Sequence, residues 1–262
     1  MNTITIGIDP IIFNIGSHAI GWHGVLMVLG IIVAVLLTLR LAKRAGISEE
    51  SIFTSAFCIV LFGIIGARLV HVLDNLDLYG DDPASIFAFW EGGLAWYGGL
   101  VGGFLGGAVY AWVGKLSLAR LADTVAPGVI LGLAIGRIGC TINGDAYGTP
   151  TSLPWGFIYT HPDAFAPLGV AGHPAPVYEI IWNLIVFGVL WKLRGRLKPD
   201  GALFLTMIAM YSFGRFFISW VREEPAVLGP LHQAHIISLF LFIGAVALLL
   251  YRKVGWVKGE NR

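Results

Sequence analysis

Apolar residues fill the chain in runs of about 20, long enough for helices that cross the ~30 Å hydrocarbon core of a bilayer. Taken in order, the runs predict spans over residues 18–39, 52–73, 91–115, 121–139, 174–192, 201–221 and 233–251. Polar stretches break them. An acidic loop follows the second run, with a short interfacial helix expected over 85–90. A long loop rich in proline and glycine covers 143–172. The pattern therefore predicts an all-α, polytopic membrane protein of about seven transmembrane helices, forming one integral-membrane domain over 1–262.

Composition agrees. The 262 residues are 56% hydrophobic and 13% charged, against about 25% charged in soluble domains. A net charge of +1 leaves no basic face for nucleic acid, so the bilayer is the expected surroundings. No Lys or Arg precedes Arg40, so the basic start of a cleavable signal peptide is not expected. Cys58 and Cys140 fall in or at the end of predicted spans, which argues against a disulfide framework. No Cys/His spacing suggests a metal, and neither metal nor cofactor is expected.

The charges also predict orientation. Arg40, Lys43, Arg44, Lys115, Arg120, Lys192, Arg194, Arg196, Lys198 and the tail residues Arg252, Lys253, Lys258 and Arg262 all fall on one side of an alternating seven-span path. The positive-inside rule makes that side cytoplasmic, with the N-terminus outside and the C-terminus inside. The other four basic residues, Arg68, Arg137, Arg215 and Arg222, fall in the outer half or at the outer end of a span, as do the histidines. Buried arginines need compensation, either by carboxylates of the chain or by an anionic ligand.

The stretch Gly136-Arg-Ile-Gly-Cys-Thr-Ile-Asn-Gly-Asp-Ala-Tyr-Gly148 puts an arginine, an asparagine, an aspartate and four glycines at the end of an apolar run. It is read as the wall of a cavity for an anionic group. Two further segments are expected beside it. In one, Tyr211 and Arg215 sit four apart on one helix face; the other runs from His173 to Glu179. Arg68 and Glu91 are candidates to join them. Arginine's planar fork suits a phosphate, so the pocket is predicted to hold a phospholipid head group.

The stretch 136–148 resembles the signature of the prolipoprotein diacylglyceryl transferase family, Gly-Arg-x-Gly-Asn-Phe-x-Asn-x-Glu-x-x-Gly. Gly136, Arg137, Gly139, Asn143 and Gly148 match; Cys140, Thr141 and Asp145 depart from it. Gly66-Ala-Arg68, Gly92-Gly93, His173-Pro174, Tyr178-Glu179, Tyr211-x-x-x-Arg215, Arg222-Glu223 and Gln233 are similar to the family's other landmarks. Tyr97 stands where many members have His, and His23 where many have Tyr.

The resemblance implies transfer of diacylglyceryl from phosphatidylglycerol to the lipobox cysteine thiol of a prolipoprotein signal peptide in the bacterial cytoplasmic (inner) membrane. It implies catalytic roles for Arg137, Arg215, Tyr211 and Asp145, and substrate-binding roles for Arg68, Tyr97, Asn143, Gly148, His23 and Glu179. Residue patterns alone leave two other readings open: a lipid head-group transferase with another acceptor, and an anion transporter.

Overall fold

The computed structural model describes residues 3–16, 18–80, 82–89 and 92–256. Glu91, and Lys258 and Arg262 of the basic tail, lie outside the described residues. The main helices are α1 (Trp22–Ala45), α2 (Glu49–Asp74), α3 (Trp96–Val113), α4 (Leu118–Asn143), α5 (Ala175–Leu193), α6 (Ala202–Ile218) and α7 (Gln233–Tyr251). Among the described residues, six are long and apolar enough to cross a membrane, and α3 is a shorter apolar helix. The chain is thus mostly helical, as a polytopic membrane protein should be. Large apolar side chains point outward, including Trp112 (82% exposed) and Phe240 (72%), where only hydrocarbon would wet them favourably.

By their contacts the residues group into two units, one of 1–37 with 125–262 and one of 38–124. In the first unit, Ala126 and Ile130 of α4, Val186 and Leu190 of α5, and Leu203 and Met207 of α6 form a buried apolar core. Helix α1 meets α4 where Gly30 faces Gly132: a Cβ on Gly30 would lie 2.6 Å from the Gly132 carbonyl oxygen. Only hydrogen at both positions permits that approach. In the second unit, Ser48 caps α2 by accepting from the Ser51 amide at 3.1 Å, and Glu49 and Glu50 favour the positive helix end. Helix α3 lies against α2 along Gly98, Gly102 and Gly106; a Cβ on Gly102 would stand 3.1 Å from the Gly66 Cα. The glycines of α3, spaced four apart, serve close helix packing.

Several boundaries differ from the hydropathy reading; α3, for one, starts at Trp96 and not at 91. Residues 18–21 form not helix but strand β3 (His18–Gly21), paired antiparallel with β2 (Ile11–Ile15), and α1 begins at Trp22. The expected helix over 85–90 is a 3-10 turn, Pro83–Phe87. Helix α4 runs on to Asn143, past the predicted end at 139, because its polar residues find partners at the helix end. Thr141 Oγ1, for example, donates back to the Arg137 carbonyl at 2.9 Å.

The 143–172 loop is ordered by strands. The N-terminal β1 (Ile4–Ile6) pairs parallel with β4 (Phe157–Tyr159), and β4 pairs antiparallel with β5 (Ala171–Gly172). The Tyr159 hydroxyl donates to the Thr141 carbonyl at 2.8 Å, which ties this small sheet to the end of α4.

Candidate active site

The last turns of α4 and α6 and the first turn of α5 bring charged side chains together inside the first unit. Glu179 is the centre. Its carboxylate is 4% exposed and is ion-paired with Arg137 Nε through Oε2. Its Oε1 takes Arg215 Nη1 at 3.1 Å and Arg222 Nη1 at 3.2 Å. Glu224 adds a second carboxylate, accepting from Arg215 Nη2 at 2.6 Å and standing 3.1 Å from Arg222 Nε. Tyr211, one turn before Arg215, lies against Arg137 and Glu179.

The charges explain the grouping. An ion taken into a low-dielectric interior must be paired, and one glutamate between three guanidiniums pairs all three at once. Three positive and two negative groups leave one positive charge in excess. Burial, followed by the repulsion of Arg215, pulls the Arg222 pKa below the ordinary arginine value, with Glu179 acting in the opposite direction.

Backbone lacing holds Arg222 and the start of α5 in place. The segment 147–149 runs between two others: Gly148 N donates to the His173 carbonyl (3.1 Å), Thr149 N to that of Val221 (3.0 Å), and Glu223 N to that of Tyr147 (3.1 Å). Gly148 fits this slot because it lacks a side chain. A Cβ there would lie 2.5 Å from the His173 Cβ and 2.6 Å from the Val221 carbonyl oxygen.

Beside the arginines, Arg137 Nη1 lies 3.5 Å from Cys140 Sγ, one turn on. His23, in the first turn of α1, places Nδ1 3.6 Å from that sulfur and 3.6 Å from Asp145 Oδ2. Asn143 Nδ2 donates to Asp145 Oδ1 at 3.3 Å. Tyr159 has its pKa pushed up to about 12, first by burial and then by Asp145 and Cys140, so its hydroxyl stays a neutral donor. A cavity of about 220 Å³ opens nearby, lined in part by Tyr147, Gly148, Tyr159, His173 and Glu223.

The first unit therefore brings together Arg137, Arg215, Tyr211 and Glu179, and next to them His23, Asn143, Asp145 and Gly148. Arg68 and Tyr97 belong to the second unit. There Arg68 donates to four carbonyls: Nε to Ile86 (2.7 Å), Nη2 to Ser85 (2.5 Å), and Nη1 to Gly92 (2.8 Å) and Gly93 (3.1 Å). One guanidinium N–H remains beyond these four. Tyr97 stands in the first turn of α3.

Sequence reasoning missed Glu224 and gave Arg222 no role. The signal was the run Arg222-Glu223-Glu224, an arginine on the poorly basic side with acids beside it.

Fold and site together define a multi-pass membrane protein with a buried arginine–carboxylate cluster at one set of helix ends. The chain belongs to the prolipoprotein diacylglyceryl transferase family, whose model matches residues 10–251. It is similar to proteins named phosphatidylglycerol–prolipoprotein diacylglyceryl transferase. The one from Clostridioides difficile is 39% identical over 243 residues, covering 93% of this chain and 95% of that protein. The one from Dehalococcoides mccartyi is 36% identical over 248 residues, covering 94% and 95%. The one from Geobacter sulfurreducens is 34% identical over 259 residues, covering 95% and 98%.

Proposed function

We propose that this chain transfers the diacylglyceryl group of phosphatidylglycerol to the thiol of a lipobox cysteine in a prolipoprotein signal peptide, at the outer face of the bacterial cytoplasmic membrane. The observation that carries the reading is the excess positive charge of the Arg137–Arg215–Arg222 cluster around Glu179 and Glu224. A phosphodiester carries one negative charge, which balances that excess.

In the reaction the cysteine sulfur attacks the glycerol carbon that bears the phosphate. An S–C bond forms as the C–O bond breaks. The thiol proton leaves to solvent or to the departing glycerol phosphate, and the phosphate gains charge as it goes. Arg137 and Arg215 stabilise that charge, which makes them catalytic in the sense that counts: they hold the transition state more tightly than the ground state. Tyr211 sets the orientation of Arg137 and Arg215. Glu179 keeps the guanidiniums together and fixes where their forks point.

Asn143, Asp145 and Gly148 line the head-group side, with His23 beside them. Arg68, on α2, and Tyr97, in the first turn of α3, are proposed to bind substrate. An apolar groove between α5 and α6, lined by Ile181, Trp182, Phe213, Gly214 and Phe217, suits an acyl chain arriving from the bilayer. The distribution of basic residues supports an N-terminus outside and basic loops in the cytoplasm, with the site facing the secreted precursor.

Purified protein mixed with labelled phosphatidylglycerol and a one-cysteine lipobox peptide tests the reading. The expected product is a diacylglyceryl thioether, seen by mass, with none from a Cys→Ser peptide. Lipid that binds without ever yielding a thioether would point to another acceptor.

A further inference from the structure

Three metal-binding side chains converge at the start of α1 and the end of α4: His23, Cys140 and Asp145. One donor atom from each lies within 4.8 Å of the other two. The sequence conceals the cluster, since His23 and Cys140 are 117 residues apart. Their geometry is not that of a catalytic relay. In a Cys–His–Asp triad the two ring nitrogens divide the partners, whereas here His23 Nδ1 is the nearest nitrogen to both Cys140 Sγ (3.6 Å) and Asp145 Oδ2 (3.6 Å). The second distance is also too long for a hydrogen bond.

The two distances from His23 Nδ1 do match the edges of a coordination polyhedron. With Zn–S near 2.3 Å and Zn–N or Zn–O near 2.0–2.1 Å, ligand atoms on a tetrahedral ion stand roughly 3.3–3.6 Å apart. We propose that His23 Nδ1, Cys140 Sγ and Asp145 Oδ2 form a zinc site that joins the first turn of α1 to the last turns of α4, with water as the fourth ligand.

Each donor suits the ion. Imidazole, thiolate and carboxylate are all ordinary zinc ligands. The thiolate is the form that binds metal, and the thiol proton passes to solvent on coordination. Asn143 donates to the other Asp145 oxygen at 3.3 Å, an outer contact that orients the ligand carboxylate. His23 and Asp145 are about one-third exposed (35% and 34%), which gives the ion access and leaves space for the water.

The test reads bound metal and stands apart from transfer activity. The full-length protein in detergent is stripped with a chelator, loaded with Zn²⁺, desalted and assayed for zinc. About one zinc per chain is expected, as a three-ligand site would hold it. Cys140→Asn, His23→Gln and Asp145→Asn should each weaken binding by more than about 100-fold, beyond the loss caused by removing an outer-shell partner. A His161→Gln control, at a second His/Asp cluster with Asp9 and Asp163, should leave it unchanged. Zinc should raise the thermal midpoint of the unsubstituted protein and not of the three variants. Cobalt loaded into the unsubstituted protein should show a thiolate-to-metal charge-transfer band, a readout independent of whether any variant folds. No retained zinc, cobalt without the thiolate band, or undiminished zinc in all three variants overturns the proposal.

Discussion

Replacing Glu179 with Gln keeps the side-chain volume and removes one charge from the centre of the arginine cluster. The carboxylate is 4% exposed and meets Arg215 at 3.1 Å and Arg222 at 3.2 Å, with Arg137 on its other oxygen. At those separations each attraction is on the order of 5 kcal/mol for an effective dielectric constant near 20. Most of that is offset by the cost of dehydrating four ions and by repulsion among the three guanidiniums. The net cost of removing one partner from a buried ion pair is roughly 3–5 kcal/mol. The substitution leaves Arg215 and Arg222 with Glu224 alone and takes the carboxylate from Arg137, so the upper part of that range is expected.

For a chain of this size, 1 kcal/mol moves the midpoint by about 2–4 °C, so a loss of about 4–5 kcal/mol should lower the Glu179→Gln midpoint by roughly 8–20 °C in detergent, followed by tryptophan fluorescence. Pairing it with Arg222→Gln removes one charge of each sign and should recover part of the loss. A Glu179→Gln protein that unfolds within about 2 °C of the unsubstituted chain, or a double variant whose losses simply add, would refute the account of Glu179 as the group that holds the arginines together.

Other consequences follow from the same geometry. Arg137→Ala and Arg215→Ala should each lower diacylglyceryl transfer by about 100-fold or more while the protein still inserts in membranes; near-full activity in a membrane fraction would contradict their role at the leaving phosphate. Gly148→Ala should destabilise the chain by roughly 1–3 kcal/mol, because its new methyl meets His173 and Val221 in the laced segment, and a thermal midpoint equal to that of the unsubstituted protein would show that the slot can widen. Tyr159 has a folded pKa raised to about 12 from an ordinary value of 10.0, so its contribution is full below pH 10.0 and is lost as pH rises toward about 12. The alkaline loss should be at most roughly 2 kcal/mol after solvent screening, and Tyr159→Phe should flatten it in a stability–pH series.

Much of the architecture was readable because a bilayer imposes a length and a composition on every span. The predicted end at Tyr251 holds, and α5 begins within a residue of the predicted 174, where Pro174 stops backward extension. Failures occur where partners other than lipid decide. Residues 18–21 are apolar enough to extend α1, yet they pair as strand β3 with β2. The end of α4 reads as polar and therefore as loop, yet its charges are satisfied by neighbouring helices, and it stays helical. In the candidate site, Arg137, Arg215 and Tyr211 were readable because charge at membrane depth is costly. Glu224 was not, since an acid in a polar stretch between spans looks like a solvated loop residue until Arg215 is seen 2.6 Å away. The convergence of His23 on Cys140 is likewise a fact of tertiary structure, with no periodicity to announce it.

The pairing of β1 with β4 sets an order of events during synthesis. Strand β1 is made well before its partner: Thr160 Oγ1, 154 residues later, donates to the Ile6 carbonyl at 3.4 Å. The Thr160 amide reaches the same carbonyl at 3.1 Å, and the Ile4 amide reaches that of Gly156 at 2.9 Å. At a ribosomal rate of about 5–20 residues per second, β1 waits on the order of ten seconds with its edge unpaired. Its docking closes the sheet that Tyr159 ties to α4, so a strand made ahead of α1 is completed only by a segment made after α4.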